Sequence, residues 1–333
     1  MSEIYKLYGV ELSPYSVKVR SYLRYKNIPH EWIVRSAAVM PEFQKFAKLP
    51  IIPLLVTPEL QGLQDSTPII EEMEQRFPDP SIYLPDLSLN FIYVLIEEYA
   101  DEWCNKPMFH YRWWYAADQN SAARGIALSQ LGENADPSLL AGATDMIKQR
   151  MIPRLAFVGS NENTKQLIET SFHELVSILN AHLQLRNYLF GGKPSFADFA
   201  LYAQLYENYI DPTPGAFIRE KAPNLVAWIE RMLNPVALGE FESWSTLAPT
   251  LMPLLKQEIG ERFLPWSEAN ARALAAGEKH FSVELNNQVF SQEAQKYHAK
   301  SLAALKVKFQ LVRNEEKLRA ILSQVNCLSY LEN

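Results

Sequence analysis

Two short runs of the 333-residue chain place small oxygen-bearing side chains directly before or around a proline: Ser13-Pro14-Tyr15-Ser16 and Asp65-Ser66-Thr67-Pro68. Each reads as a helix start, because a capping oxygen accepts from unpaired N–H groups and proline loses nothing in the first turn. Those N–H groups, with the positive end of the helix dipole, also suit an anion or a developing thiolate. Capping alone accounts for both starts, and residue type does not separate the two roles. At the second start a ligand carboxylate would take a free N–H and the Ser66 hydroxyl, while a ligand ammonium would pair with Asp65. Pro53 is a third candidate, since a cis bond after Ile52 would leave the neighbouring backbone free for an extended ligand. The fourth is Phe109-His110-Tyr111-Arg112-Trp113-Trp114. Its aromatic density fits an apolar cleft with polar handles, and equally a buried seam between domains.

Other chemistries find little support. None of the six histidines pairs with another at ligand spacing, and Cys104 and Cys327 form no C-x-x-C. Zinc, dithiol exchange and any other metal centre are therefore not expected. Gly191-Gly192 lacks the rest of a phosphate-loop signature. With 38 acidic and 32 basic residues the net charge is −6, which disfavours nucleic acid as a partner. Two distant cysteines suit free thiols in a reducing compartment. The start of the chain has no apolar signal region and no run is long enough to span a membrane. A cytoplasmic protein is expected.

The elements that must carry these residues follow from periodicity and punctuation. Ile4 to Val10 suits a first strand, and the helix opened at Ser13 runs through Val19, Tyr22 and Leu23 to Tyr25. Trp32 to Val34 suits a second strand, Pro41 to Ala47 a weak helix, Pro53 to Val56 a third strand and Leu60 to Leu63 a fourth. The helix opened at Asp65 buries Ile69, Ile70, Met73 and Phe77 and stops before Pro78-Asp79-Pro80. This β-α-β-α-β-β-α order makes a small α/β domain. From Asn90 onward helical patterns dominate: Ile92 to Trp103, the stretch after Ser195 with Asp198 as a short capping-box partner, Leu225 to Met232, and Ala294 to Arg319. Ser243 to Leu251 is the expected linker or irregular loop.

The ordered set Ser13-Pro14-Tyr15-Ser16, Ile52-Pro53, Asp65-Ser66 and Gly192-Lys193-Pro194-Ser195-Phe196-Ala197-Asp198 resembles the glutathione transferase family, over about residues 4 to 235. The resemblance implies an α/β thioredoxin-like N-terminal domain (1–84) that binds glutathione. An all-helical glutathione-transferase C-terminal domain (88–240) would form the second-substrate pocket, with a mostly helical extension (241–333) packed on it. Ser13 matches the catalytic serine of the tau-like and zeta-like classes. Ser16 matches the second cysteine position of redox-active relatives, and serine at both 13 and 16 argues against disulfide exchange, because an alcohol forms no mixed disulfide. Ile52 and Pro53 match the positions that pair with the cysteinyl part of glutathione, and Asp65 and Ser66 those that grip its γ-glutamyl end. Lys48 or Gln44 is the candidate for the glycyl carboxylate. Leu49-Pro50-Ile51 departs from the family's glycine-containing approach to that proline. Tyr15, Phe109, His110, Trp113 and Trp114 are the expected electrophile pocket. The implied activity is conjugation of glutathione, as co-substrate, to a small hydrophobic molecule by a homodimer. A non-catalytic scaffold, or a glutathione-dependent isomerase or peroxidase, would share the same first domain.

Overall fold

A computed structural model describes residues 4–332. Strand β1 (Tyr5–Gly9) is followed by α1 (Pro14–Tyr25), β2 (His30–Val34), α2 (Met40–Phe46), β3 (Leu54–Val56), β4 (Gly62–Gln64) and α3 (Ser66–Arg76). The sheet order is β2-β1-β3-β4, with β1 parallel to β2 and antiparallel to β3, and β3 antiparallel to β4. Side-chain alternation along the strands divides the core. Tyr5, Leu7 and Leu55 face Val19, Tyr22, Ile69 and Met73 of α1 and α3, while Tyr8, Leu54 and Val56 face Phe43 of α2. This is a thioredoxin-like α/β domain with helices on both faces of a mixed sheet.

Among the described residues nine α-helices follow before any further strand: α4 (Leu87–Glu102), α5 (Asn105–Trp114), α6 (Ala116–Leu131), α7 (Pro137–Met151), α8 (Lys165–His182), α9 (Phe196–Ile210), α10 (Pro212–Lys221), α11 (Pro223–Met232) and α12 (Trp244–Pro253). Helix α9 is central, packing on α1 and α4, with Phe199 against Tyr22 and Tyr25. Its start is built by the buried Asp198. One carboxylate oxygen takes the Ser195 N–H and hydroxyl, each at 2.8 Å, and the other takes the Leu189 N–H and the Trp228 indole. All these groups are interior, so their bonds serve to fold the domain. Gly192 is required beside it, since a Cβ there would lie 2.5 Å from the Gly239 backbone.

Past α12 a π-helical stretch, Leu254–Phe263, leads into α13 (Leu264–Ala275), the hairpin β5 (His280–Leu285) and β6 (Gln288–Glu293), and helices α14 (Lys296–Val312), α15 (Glu316–Gln324) and α16 (Leu328–Glu332). Two expectations are corrected here. Residues 243–251 are not an irregular loop: Leu247 and Leu251 are buried, and the Ser243 carbonyl accepts from Thr246 and Leu247 to start a helix. Ala294 to Arg319 is not one helix but two, broken at 313–315. The extension wraps α4, α5 and α8. Phe309 packs on Phe91, His298 bonds the buried Glu102, Ser301 bonds Glu98, Lys308 pairs with Glu71, and Arg262 pairs with Glu174. Both cysteines are buried free thiols. Among the described residues no helix is long and apolar enough to cross a membrane.

Candidate functional site

The loop from β1 to α1 carries the first group. Gly9 ends the strand because a Cβ there would meet Trp32 and Ser16 at under 3 Å. Ser13, half-buried, caps α1 in extended geometry (φ −124°, ψ 111°). Its Oγ accepts from the Ser16 hydroxyl at 3.0 Å and, at a long 3.4 Å, from the Ser16 N–H. Both bonds use Ser13 as acceptor, which leaves its own proton free for a ligand. The loop is gripped from the helical domain. Glu11 holds Arg20 through two bonds of 2.6 and 2.8 Å and accepts from Tyr206. Arg112, buried against Glu207 and Asp211, donates to the Leu12 carbonyl at 3.2 Å.

The second group is the loop before β3. The Ile52–Pro53 bond is cis, and Ile52 is half-buried at the wall of a cavity. Gln64, at the end of β4, braces this loop. Its Oε1 accepts from the N–H groups of Lys48 and Leu49, and its Nε2 donates to the carbonyls of Leu49 and Ile51.

The third group is the start of α3. Asp65 sits at φ 76°, a conformation that turns the chain sharply into the helix. Ser66 is 1 % exposed, and its hydroxyl has no partner among the described residues. Burial raises the Asp65 pKa above the ordinary carboxylate range, partly offset by the charge of Lys18. Beneath this corner Lys18 reaches Glu97 and Asp101, both at 2.7 Å, and Thr67 at 3.2 Å. Tyr15 donates to the Asp101 carbonyl at 3.1 Å, and Asp101 Oδ1 and Asn105 Oδ1 are buried without partners. Tyr297 of the extension comes close enough to feel the charges of Asp65, Glu102 and Asp101.

Between the domains lies a cavity of about 480 Å³. Its walls are Val10 to Leu12 of the first loop, Arg35 after β2, Ile52, residues Ser121 to Gln130 of α6, and Ile210-Asp211. Of the first-domain residues expected at the site, Ile52 lines this cavity, Ser13 directly follows its wall residue Leu12 and Pro53 directly follows Ile52, while Asp65 and Ser66 stand at the start of α3 and are not part of its wall. It does not bring Phe109, His110, Trp113 or Trp114 to the cavity wall. Trp113 is 1 % exposed and packs with Ala122, Ala123 and Leu155 beneath α6, with Leu12 alongside. His110 is held by Ser160 and Glu169, and burial lowers its pKa. The aromatic run packs mainly within the helical domain, and α6 supplies the cavity wall. Lys48 and Gln44 have exposed side chains, and neither lines the cavity; the cation there is Arg35. Arg35, Gln64 and Arg112 were not singled out from sequence, although Arg112 lies inside the aromatic run. Among the described residues no three His, Cys, Asp or Glu side chains gather as a metal site.

Two stretches of the chain match known family models. A family model described as "Glutathione S-transferase, N-terminal domain" matches residues 7–81, and one described as "Glutathione S-transferase, C-terminal domain" matches residues 154–231. Among curated proteins, the isoprene-epoxide–glutathione S-transferase of Rhodococcus sp. (strain AD45) is 25% identical over 230 residues, covering 67% of this chain and 92% of that one. Among solved structures, a glutathione S-transferase from Methylobacterium radiotolerans in complex with glutathione sulfonate is 20% identical with a TM-score of 0.43, covering 74% of this chain and 94% of that one. A beta-etherase from Sphingobium sp. strain SYK-6 is 20% identical with a TM-score of 0.45, covering 68% and 94%. Residues 7–81 thus match the N-terminal domain, and residues 154–231 the C-terminal domain, of glutathione S-transferases.

Proposed function

We propose that this chain is a serine-type glutathione transferase that conjugates glutathione to a small, largely apolar electrophile. The observation that carries the reading is the start of α3, where the buried Ser66 hydroxyl lacks a partner beside Asp65. A buried hydroxyl left unpaired costs free energy that a bound ligand would recover. A γ-glutamyl group offers both complements: its carboxylate for Ser66 and the helix N–H groups, its ammonium for Asp65. The backbone of Ile52 would then take the cysteinyl part, and the free proton of Ser13 would face the sulfur. Residues 1–84 are the glutathione-binding unit in this reading, residues 88–240 supply the second-substrate wall, and residues 241–333 pack on that unit.

In the reaction the thiol gives up its proton to water, and the Ser13 O–H and the end of α1 stabilise the thiolate. The sulfur then attacks an electrophilic carbon, a C–S bond forms, and the bond from that carbon to its leaving group breaks. The curated relative is named for an epoxide. With an epoxide the broken bond is the ring C–O bond, and the alkoxide takes a proton from water. Lowering a thiol pKa from about 8.5 by one unit needs roughly 1.4 kcal/mol of preferential stabilisation, within reach of one hydroxyl bond plus a helix end. The reading also carries a cytoplasmic homodimer, whose mass light scattering would measure.

Calorimetric titration with glutathione, with the protein and with Ser66→Ala, tests binding. Saturable heat that weakens about ten-fold or more in the variant is expected; no heat at millimolar glutathione would leave a scaffold. Ser13→Ala should slow turnover of a chloronitroarene by about ten- to a thousand-fold, roughly 1.4 to 4 kcal/mol. The bound thiol pKa should rise toward its free value. If Ser13 were only a cap, the variant would lose about 0.5–2 kcal/mol of stability with the thiol pKa unmoved.

A further inference from the structure

The interdomain cavity holds three charged side chains, and only one of them is uncommitted. Glu11 is bonded to Arg20 and Tyr206, and Asp211 is paired with Arg112 at 2.8 Å. Arg35 makes no ion pair and no side-chain hydrogen bond among the described residues, and its Nε is buried without a partner. Its position is fixed from two sides. The Arg35 N–H donates to the Gly9 carbonyl at 2.9 Å, continuing the β1–β2 pairing past the last residue of β2, and the guanidinium lies 5.1 Å over the Phe43 ring. A guanidinium beside an aromatic ring, in a cavity wall and without an ion-pair partner among the described residues, presents the planar fork that carboxylates fill in two-point contact. The rest of the wall is apolar (Val10, Leu12, Ile126, Ile210) with neutral hydroxyl and amide groups from α6.

We propose that Arg35 is a specificity residue: it selects, as second substrate, an electrophile with an apolar body and a carboxylate. This rests on the transferase reading above and goes beyond it by naming the charge of the substrate. The carboxylate would lie in the fork of Arg35 while the apolar body fills the space against α6, with its reactive carbon toward Ser13, which directly follows the wall residue Leu12. Glutathione also bears a carboxylate, on its glycyl end, so the test must tell the two apart.

The probes are chlorodinitrobenzene and its carboxylated analogue chlorodinitrobenzoate, two electrophiles that differ in one charge. The ratio of kcat/KM for the benzoate to that for the benzene should fall about ten- to a hundred-fold in Arg35→Gln, the size of a charge-assisted hydrogen bond to a buried group. Arg35→Lys, which keeps the charge and loses the fork, should fall in between. The loss should sit in the KM for the benzoate and leave the KM for glutathione in place. An unchanged ratio overturns the proposal. So does a rise in the KM for glutathione that is equal with both electrophiles, which would assign Arg35 to the glycyl end. If neither electrophile is turned over, the transferase reading fails on its own. Calorimetry with the two preformed S-aryl glutathione conjugates then decides. A preference for the carboxylated conjugate that Arg35→Gln abolishes sustains the role of Arg35, and equal affinities in the unsubstituted protein overturn it.

Discussion

Lys18 and Lys106 are both sealed from water, at 0 % and 1 % exposure, and their amines are driven in opposite directions. Lys18, on α1, meets Glu97 and Asp101 of α4. Burial opposes its charge, but the two carboxylates outweigh burial and raise its pKa. Lys106, on α5, meets rings instead: Trp266 at 3.8 Å, Trp103 at 5.5 Å and Phe290 at 5.7 Å, with Gln292 Oε1 at 3.1 Å. Burial lowers its pKa to about 7, and the charge of Glu102 restores only part of that. The difference shows what each region is for. At Lys18 the charge is kept and balanced by acids beneath the Asp65–Ser66 corner, one of which retains an unpartnered oxygen. At Lys106 burial makes the charge costly to keep, and the side chain threads between rings to fasten the β5–β6 hairpin to α5.

The largest effect is expected from Lys18→Met, which leaves two buried carboxylates facing each other. It should cost about 3–5 kcal/mol in urea unfolding. The double variant with Glu97→Gln should recover part of that loss, and a loss below about 1 kcal/mol would erase the contrast. Lys106→Met should do the opposite at neutral pH and below, gaining about 1–4 kcal/mol, because an apolar side chain of similar length fills the same ring cage without a charge to desolvate. That gain should shrink with pH in a defined direction. The unfolded lysine titrates near 10.4 and the folded one at about 7, so between those values the unfolded chain binds more protons and stability rises with pH. The Lys106 contribution is fully present above the unfolded value and is lost as pH falls to about 7. Unfolding midpoints of protein and variant should therefore converge as pH rises; parallel curves would refute the depressed amine. The smallest effect is expected at Thr67, whose hydroxyl donates to Glu97 at 2.5 Å and accepts from Lys18 at 3.2 Å. Thr67→Val should cost about 0.5–1.5 kcal/mol by calorimetric melting, and a larger loss would mean that the hydroxyl, rather than the ion pairs, organises the corner.

The same contrast explains what could be read from sequence. Ser13, Pro53 and Asp65-Ser66 announced themselves because caps and prolines are local signals, fixed by neighbours within four residues. Arg35, Gln64 and Arg112 gave none, since each acquires its task from partners far along the chain: Arg112 from Glu207 and Asp211, Gln64 from a loop more than ten residues before it. The helix over 244–253 hid behind Ser, Thr and two interior prolines, composition that reads as a loop until the burial of Leu247 and Leu251 is known. The β5–β6 hairpin, by contrast, is written in local signals. Phe281, Val283 and Leu285 alternate with polar residues, and Asn286-Asn287, at φ 49° and 60°, form the two-residue turn that such strands require. Ring density in α5 signals burial, and that burial is mainly inside the helical domain rather than at the cavity wall.

The contacts between α14 and α4 also set a clock. His298 pairs with Glu102 across 196 residues of chain, and Ser301 with Glu98 across 203. A ribosome adding about 5–20 residues per second needs roughly 10–40 s to cover that distance. During that interval the outer face of α4 has been made, with Phe91 uncovered and Glu102 unpaired, while its cover has yet to be synthesised. A chain refolding from denaturant has all its parts present from the first instant and faces only the search for long-range contacts. Birth and refolding therefore expose this face for different lengths of time, and the nascent chain is the one open to capture by another apolar surface while it waits.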